Sequence, residues 1–457
     1  MKTDRQQLFE SASIPKAYFT LTIPSVLGKV IMLLYNMADT WFIAATGDTN
    51  LVAGVALCGP AFTLMLAMGD IFGMGGSSVI SRLFGKGEID RARRVSVFCF
   101  YGAMLGGILT SILLLTFRTP ILTLLGADSS TLPFAKQYFF WMALGAPLMI
   151  TQNVPLNLLR SEGMAKTSML GSSVGSVANM ILDPIFIFGF GMGAAGAAIA
   201  TVLSNGIALL VYLYFIRNKA QILSISPKLL AGKKEEILPV FSIGLPASAN
   251  QLMNTFGQIV SNRFLLLYGS TVLAAAGISS KISMIPTMMI VGFAFSAGPL
   301  VGYNYGQGNG DRVKKIIRFF YSFQILASST VALVLMVLSP QLVRSFMEDT
   351  SIVSIGTEYL RWHLVSMPFS AIFMVSSCLM QSTGNAKSAT ILSLGRQGVV
   401  FISVIVVANA LFGYYGVIAA QAVTDLISAS IAVVLVRKQI WKRLICGNLY
   451  DATYPPV

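Results

Sequence analysis

The sequence predicts an all-α integral membrane protein with twelve transmembrane helices, arranged as two six-helix lobes related by pseudo-twofold symmetry. Hydrophobic residues make up 55% of the 457-residue chain and charged residues only 11%, whereas soluble domains carry about 25% charged residues. Twelve apolar runs reach the length of about 20 residues that a helix needs to cross a bilayer. The second half of the chain also repeats the first at a nearly constant interval.

The twelve apolar runs are named spans 1 to 12 in chain order, and they leave no segment large enough for a soluble domain. Their predicted bounds are 22–46, 51–80, 95–117, 135–157, 168–190, 193–216, 240–267, 273–302, 316–338, 359–381, 389–411 and 415–437. Each half of the chain therefore contains six spans, and both halves enter the membrane from the same side.

The basic residues predict the orientation of the chain. Most of the 32 Lys and Arg residues, which give the net charge of +14, fall in loops on one side of the membrane if both termini are cytoplasmic. The predicted outer segments contain only Arg118, Lys136, Arg344 and Arg361. Because cytoplasmic loops carry an excess of Lys and Arg, this bias predicts a multi-pass protein with both termini in the cytoplasm. The positive charge thus reflects topology and argues against nucleic-acid binding.

An internal repeat relates the two halves. The recurring residues are Tyr138, Trp141, Pro147 and Gly163 in the first half and Tyr359, Trp362, Pro368 and Gly384 in the second. Units of six spans share one orientation, as in transporters built from parallel halves. The predicted divisions are an N-terminal lobe (1–216), a cytoplasmic linker (217–239), a C-terminal lobe (240–437) and a cytoplasmic tail (438–457). A scaffold or a channel is the plainer alternative for such a bundle.

The repeat shows that two intramembrane carboxylates occur in the N-terminal lobe alone. Asp39 of span 1 corresponds to Ser261 in the second half, and Asp183 of span 5 corresponds to Ser403. A group needed merely for packing would be tolerated in either half. The asymmetry therefore points to a function located in one lobe, since an acid within a bilayer is costly and usually functional.

Depth in the membrane groups these acids with two further polar residues. At about 1.5 Å of rise per residue, Asp39, Asp183 and Thr201 lie roughly 10 to 12 Å below the outer ends of their helices. Asn179 lies one turn deeper on the face of Asp183. Two carboxyls in a low-dielectric pocket cannot both stay ionised cheaply, so the pair is expected to take up and release a proton as a unit. The alternative is a hydrogen-bonded polar cluster without an ion role.

The remaining intramembrane charges receive separate interpretations. Arg396 and Asp425 lie on neighbouring antiparallel spans and are predicted to form a structural ion pair, with substrate contact as the alternative. Asp70 has no predicted partner, and Lys29 is predicted to extend its ammonium group to the membrane surface. The single histidine, His363, excludes the His clusters of catalytic zinc sites. The sequence predicts no catalytic residue, metal site or cofactor, so energy is expected from an ion gradient.

A hydrophobic, adaptable cavity is expected between the lobes. Methionine lets such a surface repack around unlike ligands. The residues predicted to border the cavity are Tyr35, Asn36, Met37, Asn153, Asn157, Met284, Met288 and Met289.

Several motifs together resemble the multidrug and toxic compound extrusion (MATE) family of secondary transporters. They are Asp39 in span 1, Asn179-x-x-x-Asp183-Pro184 in span 5, Gly-Tyr-Asn-Tyr-Gly at 302–306 and Gly-Arg-Gln at 395–397. The resemblance covers essentially the whole chain. It implies cation-coupled efflux of lipophilic, often cationic compounds by rocking of the two lobes. It also implies a monomeric antibiotic-resistance transporter in a prokaryotic plasma (inner) membrane.

The resemblance is to the branch of the family that holds its ionisable cluster in the N-terminal lobe. Asp39, Asn179, Asp183 and Thr201 fall on the matching positions, and Tyr138 and Asn157 are implied to lie nearby, with Tyr138 as a substrate contact. Another branch uses acids in spans 7 and 10, where this chain has Gln251 and Gln258 and, at the outer end of span 10, Glu358. The prediction is therefore a drug/proton antiporter. The alternatives are sodium-coupled efflux and a flippase for a lipid-linked precursor, and a membrane enzyme ranks last.

Overall fold

The computed structural model describes residues 4–230, 233–347 and 349–445. This part of the chain is helical and contains no β-strand, which confirms the all-α prediction. Nine of its helices are long and apolar enough to cross a membrane, and one of them, Ala386–Leu444, holds two successive spans. Two less apolar helices, Leu132–Ser161 and Lys234–Leu266, are 30 and 33 residues long and complete the twelve.

The N-terminal lobe comprises spans 1 to 6. Their bounds are Ile14–Ala44, Thr49–Ala56 with Gly59–Lys86, Ile89–Thr116, Leu132–Ser161, Ala165–Pro184 with the π-helical turn Ile185–Gly189, and Gly193–Lys219. Short helices, Asp4–Glu10 and Arg118–Leu124, precede span 1 and follow span 3. Span 2 begins where the Asp48 carboxylate accepts the backbone N–H groups of Asn50 and Leu51, a typical N-cap.

The C-terminal lobe comprises spans 7 to 12. Spans 7 to 10 are Lys234–Leu266, Ser270–Ser296 with Gly298–Gly306, Gly310–Arg344 and Thr350–Ser382. Span 11 begins with Ala386–Leu394 and the π-helical turn Gly395–Val400. The continuous helix Phe401–Val436 contains the end of span 11 and all of span 12. Spans 11 and 12 turn at Gly413, whose φ of 55° and ψ of −130° suit glycine alone.

The helices are longer than the apolar runs that predicted them. Span 1 begins at Ile14 and span 9 runs over Gly310–Arg344, because helices continue past the apolar region into polar residues that hydropathy does not detect. The predicted linker includes the 3₁₀ turn Pro227–Leu229. The predicted tail starts within a π-helical turn, Arg437–Trp441, and the tail beyond residue 445 lies outside the described residues.

The two lobes contact each other on the face that carries both chain ends, called the inner face here after the charge bias. Gly75 of span 2 and Gly244 of span 7 let the two helices approach so closely that a Cβ at either would clash with the opposite backbone. Tyr18 donates a hydrogen bond to the Phe293 carbonyl at 3.1 Å, and Ser78 donates to that of Gln381. In the described part of the chain, the hydrogen bonds between the lobes lie in this inner half. The cleft between the lobes is therefore closed at the inner face.

Candidate functional site

Asn179, Asp183 and Thr201 form a buried polar cluster between spans 5 and 6. Asn179 and Asp183 are one turn apart on span 5, and their exposed fractions are 1% and 0%. The Asn179 Nδ2 atom donates to Asp183 Oδ1 and to Thr201 Oγ1, each at 3.4 Å. These are long hydrogen bonds. The helical spacing therefore brings together the three residues that the sequence placed in one layer.

Asp39 of span 1 completes this cluster from the side of the cleft. It is half-buried and lines a cavity of about 150 Å³ together with Tyr35, Asn36, Tyr138 and Thr201. Its carboxyl lies close enough to the Asp183 carboxyl for the two to interact electrostatically. The structure thus brings together Asp39 and Asp183, the two acids that the internal repeat replaces by serine in the C-terminal lobe.

Oxygen atoms of both carboxyls lack a hydrogen-bond donor in the described part of the chain. Asp39 Oδ1 and Asp183 Oδ2 are buried and have no hydrogen-bond donor among the described residues, and Asn179 Oδ1 lacks one as well. Two ionised carboxylates have no donor to offer each other, so one of them must carry a proton for a hydrogen bond to form. The arrangement can therefore hold one proton, or a small cation bound by oxygen atoms, and release it with a change of charge at the cavity wall.

The predicted substrate residues separate into groups. Tyr35, Asn36 and Tyr138 line the cavity beside Asp39. Met37, Met284 and Met288 lie outside this lining. Met37 is 59% exposed because it lies two positions from both Tyr35 and Asp39 and so points to another side of the helix. A contact between these methionines and substrate stays a prediction.

Asn153 and Asn157 belong to a second polar group, deeper toward the inner face. Asn153 Nδ2 donates to Asp70 Oδ1 at 2.9 Å, and Asn157 Nδ2 donates to the Asn153 carbonyl at 2.9 Å. Sequence reasoning left Asp70 without a partner. A signal was present, because Gly69 and Gly73 on span 2 have the same four-residue spacing as the two asparagines on span 4, and small residues permit close helix packing.

The structure corrects the expectation that Lys29 reaches the membrane surface. Its side chain lies against Gly292 of span 8 and is close enough to Asp70 for an electrostatic interaction. The depth of Lys29 was underestimated because the apolar run begins at residue 22, whereas the helix begins at Ile14. Lys29 therefore lies about four turns from the inner end of the helix.

In the C-terminal lobe, Arg396 and Asp425 form a direct ion pair. Arg396 Nε donates to Asp425 Oδ1 at 2.7 Å, and the guanidinium also donates to Ser370 at 3.1 Å and lies over the Phe373 ring. Gln421 Nε2 donates to the same Asp425 oxygen at 3.1 Å. The pair is buried, and together with its two polar partners it links spans 10, 11 and 12, which is consistent with the structural role predicted for it.

Known proteins resemble this chain over nearly its full length. A family model described as MatE matches residues 24–185 and 246–407, so each half of the internal repeat matches it once. The multidrug export protein MepA of Staphylococcus saprophyticus is 30% identical over 436 residues, which are 95% of this chain and 96% of that protein.

Solved structures show the same architecture. A MATE protein in complex with MaL6 superposes with a TM-score of 0.92 at 25% identity, covering 97% of this chain and 100% of that chain. The outward-facing conformation of a multidrug resistance MATE family transporter of the MOP superfamily has a TM-score of 0.90 at 25% identity, covering 99% and 100%. These matches confirm the two six-helix lobes.

Proposed function

The chain belongs to the MatE family of membrane transporters, and we propose that it exports lipophilic, often cationic compounds by antiport with protons. The relatives with multidrug export names support efflux of small molecules rather than an enzymatic reaction.

The proximity of Asp39 to Asp183 carries the proposal. The two acids come from different spans of one lobe, and each has an oxygen that lacks a donor in the described part of the chain. A pair of this kind takes up and releases a proton as a unit. Because Asp39 also lines the 150 Å³ cavity, the change of charge occurs where a substrate would bind.

The closed inner face supports a direction of coupling. Interlobe hydrogen bonds such as Tyr18 to Phe293 lie in the inner half, while Asp39 is in the outer half of span 1. Protons from outside would reach Asp39 in this conformation, and protonation removes the charge that attracts a cationic substrate. Drug then leaves to the outside, and the protonated lobe can close. Substrate and proton therefore compete, which is sufficient for exchange.

A sodium ion is the second candidate for the coupling ion. The Asn179 Oδ1 atom is buried without a donor in the described residues, beside carboxyl oxygens and the Thr201 hydroxyl. Such oxygen donors are the ligands that hard cations prefer. The same cluster could therefore hold sodium in place of the proton.

A substrate pathway through the cleft between the lobes needs only one chain. The cavity at Asp39 and the cleft lie within a single two-lobed molecule, which supports a monomer as the functional unit. The charge bias supports cytoplasmic termini, and the bacterial relative supports a prokaryotic plasma membrane.

Purified protein in liposomes tests the proposal. Export of ethidium is measured with an imposed proton gradient and, separately, with an imposed sodium gradient. The proposal expects transport driven by the proton gradient in wild type and none in Asp39→Asn. The matched control is Asp48→Asn, which removes a carboxylate from a nearby loop but keeps a side chain able to cap the helix. Transport driven by sodium alone would assign the site to the second candidate.

A further inference from the structure

Charged and amide side chains from spans 1, 2 and 4 converge below the carboxylate site. They are named the floor cluster and comprise Lys29, Asp70, Asn153, Asn157 and Arg160. Asn153 links the cluster by donating to Asp70 at 2.9 Å, and Asn157 donates to the Asn153 carbonyl and to its Oδ1 at 3.2 Å. A Cβ at Gly69 or Gly73 would lie 2.9 Å from one of these asparagine side chains, so the glycines of span 2 admit them.

The floor cluster faces the cleft between the lobes. A small cavity of about 50 Å³ lies at its inner side, and residues of both lobes line it, among them Met74, Asn157, Arg160, Phe295 and Gln381. Asp70 is one turn outward from Met74 and Asn153 is one turn outward from Asn157, on the same helix faces. Lys29 contacts Gly292, which is about one turn outward from Phe295. Lys29 and Asp70 therefore lie in one layer at the floor of the cleft, with Arg160 deeper.

Lys29 and Asp70 carry opposite charges without pairing directly. Lys29 interacts electrostatically with Asp70 and with Arg160, yet within the residues described it forms no ion pair and donates no hydrogen bond. Both side chains are only half-buried. The C-terminal pair differs, because Arg396 and Asp425 meet at 2.7 Å and are buried. A pair retained only to stabilise the fold is expected to close in that way.

We propose that the floor cluster is a subsite for zwitterionic substrates, in which Asp70 binds the cationic group and Lys29 binds the carboxylate. The inference rests on the proposed export function and adds a specificity-determining residue to it. A carboxylate is repelled by Asp39 and Asp183 elsewhere in the cleft, whereas Lys29 and Arg160 provide positive charge at the floor. Hydrogen bonds between ionised groups are the strong ones. A purely cationic substrate gains nothing from Lys29 and is repelled by it.

Two dyes that differ in a single ionisable group test this subsite. Rhodamine 6G is an ethyl ester with one positive charge, and rhodamine 19 is its free acid and a zwitterion at neutral pH. Their affinities for the purified full chain are measured by fluorescence anisotropy. In Lys29→Met the acid is expected to bind about tenfold more weakly, the effect of losing one charged hydrogen bond, while the ester binds equally well or better. Asp70→Asn is expected to lower the affinity for both dyes.

Lys281→Met is the matched control, because Lys281 is an exposed lysine within span 8, and it should leave the ratio of the two affinities unchanged. Lys29→Arg keeps the positive charge and should keep the preference for the acid. If Lys29→Met does not fold, Lys29→Gln serves as the uncharged variant and is compared with Lys29→Arg. The proposal is overturned if the uncharged variant loses affinity for both dyes equally, or if its affinity for the acid is unchanged. Lys29 would then have a structural role only. If the wild type exports ethidium and the variants give these results, the subsite alone is contradicted. If the wild type binds neither dye and exports nothing, the transport function is contradicted as well.

Discussion

Replacing Asp39 by asparagine tests the coupling site most directly, because the amide has the size of the carboxyl and cannot exchange a proton. Asp39 is half-buried at the cavity wall and faces Asp183. An asparagine there can donate to the Asp183 carboxylate, so a polar interaction between spans 1 and 5 remains possible without a proton. Asp39→Asn is therefore expected to fold and to accumulate nearly as wild type does, while coupled export is abolished.

The size of the effect on binding follows from the cavity. A sphere with the cavity volume of about 150 Å³ has a radius of about 3.3 Å, so a cationic group inside it lies about 5 Å from the Asp39 carboxyl. At an effective dielectric constant of about 20, two unit charges at that distance attract by about 3 kcal/mol. This energy corresponds to an affinity change on the order of a hundredfold. Protonation of Asp39 or its replacement by asparagine removes that attraction.

Binding of ethidium to the purified protein, followed by fluorescence from mildly alkaline to mildly acidic pH, measures this change. Wild type should lose up to about a hundredfold in affinity on acidification. Asp39→Asn should bind weakly throughout and show a flat dependence, and Asp48→Asn should behave as wild type. An equally steep dependence in Asp39→Asn would refute the reasoning and place the coupling proton elsewhere, with Asp70 as the next residue to test.

Three further variants test the other parts of the structure. Asp183→Asn should reduce proton-driven export as much as Asp39→Asn or somewhat less, because the two acids take up the proton as a unit, whereas export at the wild-type rate would show that Asp39 acts without Asp183. Arg396→Ala should lower the yield of folded protein through an orphaned buried charge worth about 3 to 5 kcal/mol, and adding Asp425→Ala should partly restore it on size-exclusion chromatography; no recovery would show that the two are not partners. Gly413→Ala should destabilise the protein by about 1 to 3 kcal/mol in thermal unfolding because of its backbone conformation, while Gly277→Ala, at an open helical position, should not.

The twelve spans and the two lobes could be predicted because their signals are local. A run of apolar residues predicts a helix in lipid without knowledge of its neighbours, since only helices and closed barrels satisfy the backbone there. The repeat of residues such as Tyr138 and Tyr359 then predicts two matching lobes, in agreement with the double match to the family model. The pairing of Asn179 with Asp183 follows in the same way from the spacing of one helix.

Depth in the membrane was also accessible from the sequence, because each helical residue advances by a known rise. This argument placed Asp39, Asp183 and Thr201 in one layer, and the structure brings them together. It misplaced Lys29, because a helix that begins at Ile14 rather than at residue 22 shifts every depth reckoned from its inner end.

The lateral position of a residue in the bundle depends on tertiary packing. Residues at one depth can lie on opposite sides of a bundle, and the packing order and rotation of twelve helices determine which of them meet. The contact of Lys29 with Gly292 across the lobes, the hydrogen bond from Asn153 to Asp70 and the position of Met37 outside the cavity lining all depend on that packing. The helices, their order and the depth of most polar residues could be read from the sequence, because those depend on neighbours along the chain. The proximity of two carboxyls across spans 1 and 5, and the grouping of Lys29 with Asp70 at the floor of the cleft, arise from neighbours in space.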